Sequence, residues 1–324
     1  MTHSDNPPER RRADGRSTRL AASALRLLLD HPLLDLDELD WADMTRLAES
    51  AARACARTQQ AVALIDQLSN ACKRLGLAHA FLKTVERYPD SGPDIDLLIA
   101  AASPALDAAI LEHLPAIPCR RPLRHRLTGS RTYRAAFGLV IDVHHGRLGV
   151  FGEQARYARI VLSRARPAAL GATMCLAPSP EDNLLLIATQ QAYTRPALRI
   201  ANVYAAITAL QRPKRLNWDY VFATALSTGT LPAVDAYLSY IERLHIHLMN
   251  RPLLPADILA RFRVRERATA EPDDNARFPR AGIARRLYLD HLYASMEAGR
   301  WHSMARLLLL PVVAALAAKS RRTT

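Results

Sequence analysis

Glycine is scarce in this chain, 12 among 324 residues, and the fingerprints that depend on it are missing. There is no P-loop, no dinucleotide-binding glycine pattern and no G-x-S-x-G elbow, which removes the commonest phosphate cradles and the serine-hydrolase arrangement. Cysteine is thin as well. Cys55, Cys72, Cys119 and Cys175 lie far apart and form no C-x-x-C pair. Zinc ribbons and disulfide scaffolds are therefore not indicated, and reduced thiols in a cytoplasmic protein are the expectation. Long apolar runs are lacking. Met1 to Arg19 is polar and charged with no signal-peptide core, and reads as a disordered basic tail. Leu307 to Ala318 is about a dozen residues with a proline inside, short of the ~20 that a spanning helix needs. It reads as a packed C-terminal helix. Acidic residues are in the minority, 31 against 44 lysines and arginines, for a formal net charge of +13. Such an imbalance favours polyanionic partners: nucleotides, RNA or an anionic membrane surface.

What the chain does have is an apolar half (49% of residues) rich in alanine and leucine, enough for a large core, mostly helical, in two domains or in one domain with a large extension. Leu20 to Leu29 predicts a short helix, and Leu39 with Trp41 opens a second. Ala61, Leu64, Ile65, Leu68, Cys72 and Leu75 recur at helical spacing, with Lys73, Arg74 and Gly76 as the stop signal. Strands are expected at Ala78 to Leu82 and Asp94 to Ala100, and a helix opened by Ser103 and Pro104 runs to Leu114. Two more strands, Thr132 to Phe137 and Leu139 to His144, meet at a tight turn on Gly138. After Gly152 the pattern predicts helix throughout. Ser179-Pro180-Glu181-Asp182 and Asn217-Trp218-Asp219 are its clearest helix starts.

The stretch with chemistry in it is Pro93-Asp94-Ile95-Asp96-Leu97-Leu98-Ile99. A side-chain period of two puts Asp94 and Asp96 on one face and Ile95, Leu97 and Ile99 on the other. Two carboxylates so close repel unless a cation lies between them, and a hard divalent cation with oxygen ligands is the usual answer. A third acid, Asp142, sits in an equally apolar strand, and Leu82-Lys83-Thr84 ends the strand before the acids. His144 shares the face of Asp142; it can reach a substrate or orient a neighbour by a hydrogen bond. His144-His145 beside Asp142 lacks a second cluster of matching spacing, so no zinc site is expected. His245 and His247 point apart on a helix and make no shared ligand pair. Arg120, Arg121, Arg124, Arg126, Arg131 and Arg134 are the densest basic stretch, suited to phosphates or RNA or simply to a solvated face.

Leu82-Lys83-Thr84, Tyr88-Pro89, Asp94-Ile95-Asp96-Leu97-Leu98 and Ile141-Asp142-Val143-His144 resemble, in that order, the motifs of the nucleotidyltransferase superfamily of the DNA polymerase β type. The resemblance is nearest to its uncharacterised bacterial members, and covers roughly residues 50 to 250. It implies an α+β fold with a small mixed sheet backed by helices and an all-helical C-terminal domain. The expected divisions are 1–19 tail, 20–76 N-terminal helices, 77–165 catalytic domain and 166–324 helical domain. It also implies a Mg²⁺-dependent enzyme (Mn²⁺ as a substitute, ATP among the candidate donors) that moves a nucleoside monophosphate from an NTP to a hydroxyl on RNA, protein or a small molecule. Asp94, Asp96 and Asp142 would hold a metal pair, and Asp142 would help deprotonate the acceptor. Lys83, Thr84 and His144 would contact the nucleotide. Thr84 stands where the family has glycine, and no arginine directly precedes Asp94. The competing expectation is a catalytically weak nucleotide- or RNA-binding protein of the same fold.

Overall fold

The computed structural model describes residues 41–85, 88, 94–119, 128–149, 152–194, 203, 206–207, 209–210, 216–262, 281–297 and 299–309. The expected basic tail, the helix from Leu20, Arg120 to Arg126 and most of the Leu307 to Ala318 run lie outside the described residues.

Helix α1, Trp41–Arg74, is one rod where two helical stretches were expected. Ala61, Leu64, Ile65, Leu68 and Cys72 are buried along one side, while Leu75, just past the helix end, is exposed. Lys73 and Arg74 close the last turn, where cations are favoured by the carbonyl ends. Strands β1 (His79–Leu82) and β2 (Asp94–Ile99) follow, then α2 (Pro104–His113), β3 (Ala116–Pro118), β4 (Ser130–Ala135) and β5 (Val140–His145). Ser103 caps α2 by accepting from the Leu106 N–H at 3.2 Å. A single-turn 3₁₀ segment, Ala136–Gly138, joins β4 to β5, with Phe137 and Gly138 at φ of 57° and 70°.

These strands form one five-stranded sheet in the order β1-β2-β5-β4-β3. Only the central β2/β5 pair is parallel; β1 on β2, β4 on β5 and β3 on β4 are antiparallel. The expected mixed α+β fold is thus observed. The strand period then sorts the sheet's two faces into two cores. Phe81, Ile95, Leu97, Ile99, Tyr133, Ile141 and Val143 pack with α1 and α2. Ala80, Leu82 and Leu98 pack on the other side, against helices of the second half. Asp96, Asp142 and His144 are on this second face, so the acids look towards the later helices and away from α1.

Among the described residues the remaining elements are α3 (Ala155–Ser163), β6 (Arg166–Leu170), β7 (Thr173–Ala177), α4 (Pro180–Thr194), α5 (Trp218–Thr228), α6 (Leu231–Met249), α7 (Ala256–Arg261), α8 (Ala281–Glu297) and α9 (Trp301–Leu308). The expectation of helix alone after Gly152, and of an all-helical domain from residue 166, is corrected by the β6–β7 hairpin. Gly171, at φ +62°, and Ala172 make its two-residue turn, a Gly-led connection of the sort tight hairpins use. Its Leu170 and Cys175 complete the core under α1. The alanine-rich strands Arg166-Pro-Ala-Ala-Leu170 and Thr173-Met-Cys-Leu-Ala177 carry too little alternation of apolar and polar residues to announce themselves.

The two helix starts singled out in the sequence meet in one network. Ser179 caps α4, its Oγ accepting from the Asp182 N–H at 3.2 Å and donating to Asp182 Oδ2 at 2.9 Å. The fully buried Asp182 carboxylate also accepts from Arg164 Nε at 3.0 Å and from the Tyr220 hydroxyl at 2.5 Å. The Arg164 guanidinium lies 3.8 Å over the Tyr220 ring. Glu181 accepts from the Asn217 N–H at 3.1 Å, and Asn217 in turn caps α5 through the Tyr220 N–H at 3.0 Å. The end of α3 and the starts of α4 and α5 are thereby locked together. Among the described residues, no helix is long and apolar enough to cross a membrane.

Candidate active site

Register decides what the acids can do. In the parallel β2/β5 pair Asp96 lies directly opposite Asp142, with Leu98 opposite His144. On the far side of β5, Thr132 of β4 is opposite Asp142 and Ser130 opposite His144. Neighbouring strands run about 4.8 Å apart, so the two carboxylates share one patch of sheet and repel each other unless compensated.

The compensation comes from Lys83 and His144. Lys83 Nζ is 2.6 Å from Asp96 Oδ2, and both side chains are largely shielded from solvent. His144 Nε2 is 3.2 Å from Asp96 Oδ1. Burial by itself pushes the Asp96 carboxyl upward, but the Lys83 charge and the His144 hydrogen bond outweigh it and hold the group far below the usual carboxylate range. Lys83 reaches this position from a left-handed backbone, φ 59°, a conformation that costs a lysine about 1 kcal/mol. That turn throws the side chain back over β2. Asp142 is held differently. Thr132 Oγ1 donates to its Oδ1 at 2.6 Å, which leaves Oδ2 with no hydrogen-bond partner among the described residues.

Four of the six expected site residues therefore converge: Lys83, Asp96, Asp142 and His144 line a common cavity. Asp94 shares their face by strand alternation but is a pair further along, opposite Val140, and is not among the residues lining the cavity. Thr84 is buried, and its hydroxyl donates to the Leu82 carbonyl at 3.0 Å. Its side chain thus stiffens the turn that aims Lys83. Arg131, counted among the basic residues, forms an ion pair with Asp107 of α2, which also accepts from the Tyr133 hydroxyl. Its role is to pin α2 to the sheet.

The cavity, about 220 Å³, has a second wall that the sequence did not suggest. It includes Glu153, Gln154, Thr189, Gln190, Tyr193, Thr230 and His291, over a floor of Leu82, Leu148, Tyr157 and Leu186. These come from the α3 entry, α4, the α5–α6 turn and α8. Gln154 Nε2 is 3.0 Å from the Thr228 carbonyl and 3.2 Å from His291 Nε2. The His291 ring stacks on Tyr193 with centroids 5.1 Å apart. Burial, helped by the nearby Arg300 charge, pushes the His291 imidazole down to about 4, so it is neutral at pH 7. No local motif marks these residues, because each is ordinary for its helix and gains meaning only from packing across the chain.

Among the described residues, no group of three or more His, Cys, Asp or Glu side chains is gathered as a ready metal cage. The donor chemistry nonetheless suits a hard cation. Two carboxylates face each other across adjacent strands, and the Lys83 ammonium already stands as a cation on one of them. The chain matches no protein-family model and no curated protein.

Proposed function

We propose that the protein is a nucleotidyltransferase of the DNA polymerase β type, using Mg²⁺ to transfer a nucleoside monophosphate from an NTP to an acceptor hydroxyl. The observation that carries this reading is the in-register pair Asp96–Asp142 on neighbouring parallel strands, facing a cavity and flanked by Lys83. The motif order Leu82-Lys83-Thr84, Asp94-Ile95-Asp96, Ile141-Asp142-Val143-His144 supports it.

In this reading Asp96 and Asp142, with Asp94 at the strand's outer end, would hold the metal. When bound, Mg²⁺ supplies neutralisation of charge on the attacking and leaving oxygens. The chain's own groups do the rest. Lys83, relieved of Asp96, sits within reach of the donor's phosphates as a buried cation. Thr132 keeps the Asp142 carboxylate turned so that Oδ2 faces the cavity, where it can take the acceptor's proton. His144 fixes the remaining Asp96 oxygen. The later helices close the far side and exclude water from the phosphoryl centre.

The test is incubation with each α-labelled NTP, Mg²⁺ or Mn²⁺ and cell extract. Label should pass to an acceptor, and Asp96→Asn and Asp142→Asn should each abolish transfer. Transfer that survives both substitutions refutes the assignment. A second reading, a nucleotide- or RNA-binding protein without turnover, is favoured by one observation: Lys83 already balances Asp96 without a metal. It predicts nucleotide binding that is indifferent to Mg²⁺ and to Asp142→Asn.

A further inference from the structure

The helical wall of the cavity holds two polar side chains whose hydrogen-bonding sense is fixed by their neighbours. Gln154 Nε2 faces a carbonyl oxygen, Thr228 O, which can only accept, so Nε2 is the amide nitrogen and donates there. Its second hydrogen goes to His291 Nε2, which must then be the unprotonated nitrogen of a neutral imidazole, with its proton on Nδ1. Gln154 is thus left with Oε1, a pure acceptor, and His291 with Nδ1–H, a pure donor. Neither atom has a hydrogen-bond partner among the described residues, and neither is sealed off from open space, although the two residues are only 6% and 2% exposed. Both residues line the same cavity as Lys83, Asp96 and Asp142. A donor and an acceptor left open on a cavity wall offer a ligand a matched pair of hydrogen bonds.

The two ends of this cavity ask for different chemistry. The sheet end offers a lysine and a carboxylate pair suited to phosphate and metal. The helical end offers an uncharged donor, an uncharged acceptor and the Tyr193–His291 ring stack. A ligand that fits both is anionic at one end and, at the other, planar, neutral and edged with a donor beside an acceptor. At about 220 Å³ the space is below the ~300–1,000 Å³ of typical ligand pockets, which limits the enclosed part of a ligand to about one ring system. We propose that Gln154 and His291 form a nucleobase subsite that reads the hydrogen-bonding edge of the donor NTP's base, with Tyr193 holding the plane of the His291 ring. The inference rests on the transfer reading for the phosphate end and extends it to base recognition.

The experiment is calorimetric titration of the full chain with Mg²⁺ and each of ATP, GTP, CTP and UTP, and with inorganic tripolyphosphate. The parent is compared with His291→Phe, which keeps a stackable ring and removes both nitrogens. Gln154→Leu, which removes the acceptor at about the same volume and adds no charge, gives a second readout should the first variant melt out. The parent should prefer at least one NTP over tripolyphosphate. Each variant should lose about tenfold in affinity for that NTP, the scale of one hydrogen bond, with tripolyphosphate binding unchanged. The matching free nucleoside should compete with the NTP. Equal loss for NTP and tripolyphosphate, no loss in a variant that melts like the parent, no preference in the parent, or failure of the nucleoside to compete each overturns the subsite. Base-dependent binding without any label transfer would instead overturn the transfer reading and leave the subsite standing.

Discussion

Acid should destabilise this protein through His291 well before its carboxylates titrate. The imidazole is held at about 4 in the fold against an ordinary 6.5, because it is buried and faces the Arg300 charge. The Tyr193 ring stacks on it, and Gln154 Nε2 lies 3.2 Å from its Nε2. The sign follows from linkage. Between those two values the unfolded chain binds a proton that the native state refuses, so stability falls as pH falls. At about 1.4 kcal/mol per tenfold in the ionisation constant, the gap amounts to about 3 kcal/mol in full, and about 2 kcal/mol is already lost by pH 5. That is a large part of the ~5–15 kcal/mol that holds a domain together. Buried His79 is lowered too and adds a loss of the same sign, so the parent must be compared with His291→Phe. Urea unfolding at pH 7, 6 and 5 is the assay, and the difference between the two pH profiles isolates His291. Parallel profiles for parent and variant, or an imidazole NMR titration of His291 centred near 6.5, would refute the reasoning.

Other perturbations test separate parts of the structure. Asp182→Ala removes the anion shared by Arg164, Ser179 and Tyr220 and should cost about 3–5 kcal/mol of unfolding free energy in a urea titration, the scale for breaking a buried pair. A loss below about 1 kcal/mol would mean the network is decorative. Thr132→Val should lower kcat for label transfer about tenfold with little change in KM for the NTP, and Thr132→Ser should restore it, as expected of a group that orients a reacting carboxylate. Equal behaviour of the two variants would remove Thr132 from that role. Cys72, fully buried and with its thiol pushed up to about 12 by burial, should stay unlabelled by iodoacetamide in the native protein, while exposed Cys55 reacts. Mass spectrometry of the alkylated peptides gives the answer.

The parts of the fold legible in the sequence are those written in local spacing. Asp94-Ile95-Asp96-Leu97-Leu98-Ile99 reads as a strand because its period of two is clean, and it is one. The Ser103 and Asn217 caps and the buried stripe from Ala61 to Cys72 were visible for the same reason. The β6–β7 hairpin was not, since alanine is at home in either state and its strands are buried on neither a clean stripe nor an alternation. Glu181 and Asp182 read as acids favouring a helix N-terminus, but Asp182 also anchors three elements. Nothing in its neighbourhood in sequence hints at Arg164 or Tyr220 as partners. At the site, the acids were legible as types, whereas their pairing was not. That Asp96 faces Asp142 depends on which strands are neighbours and in what register, and both are set by the whole sheet. Thr132, Gln154, Tyr193 and His291 are ordinary residues that only tertiary packing brings to the cavity.

The cavity's second wall has a consequence for how the protein comes into being. The Gln154–His291 contact joins residues 137 positions apart, and the hydrogen bond from Ser303 to the Glu153 carbonyl spans 150. During synthesis the sheet with its acids leaves the ribosome long before α8 and α9 do. A nascent chain therefore carries the carboxylate pair for many seconds without the His291 side of the cavity wall, at elongation rates of about 5–20 residues per second. The wall is thus finished only when α8 packs: a chain broken off before His291 would keep the carboxylate pair and lack the imidazole that stacks on Tyr193.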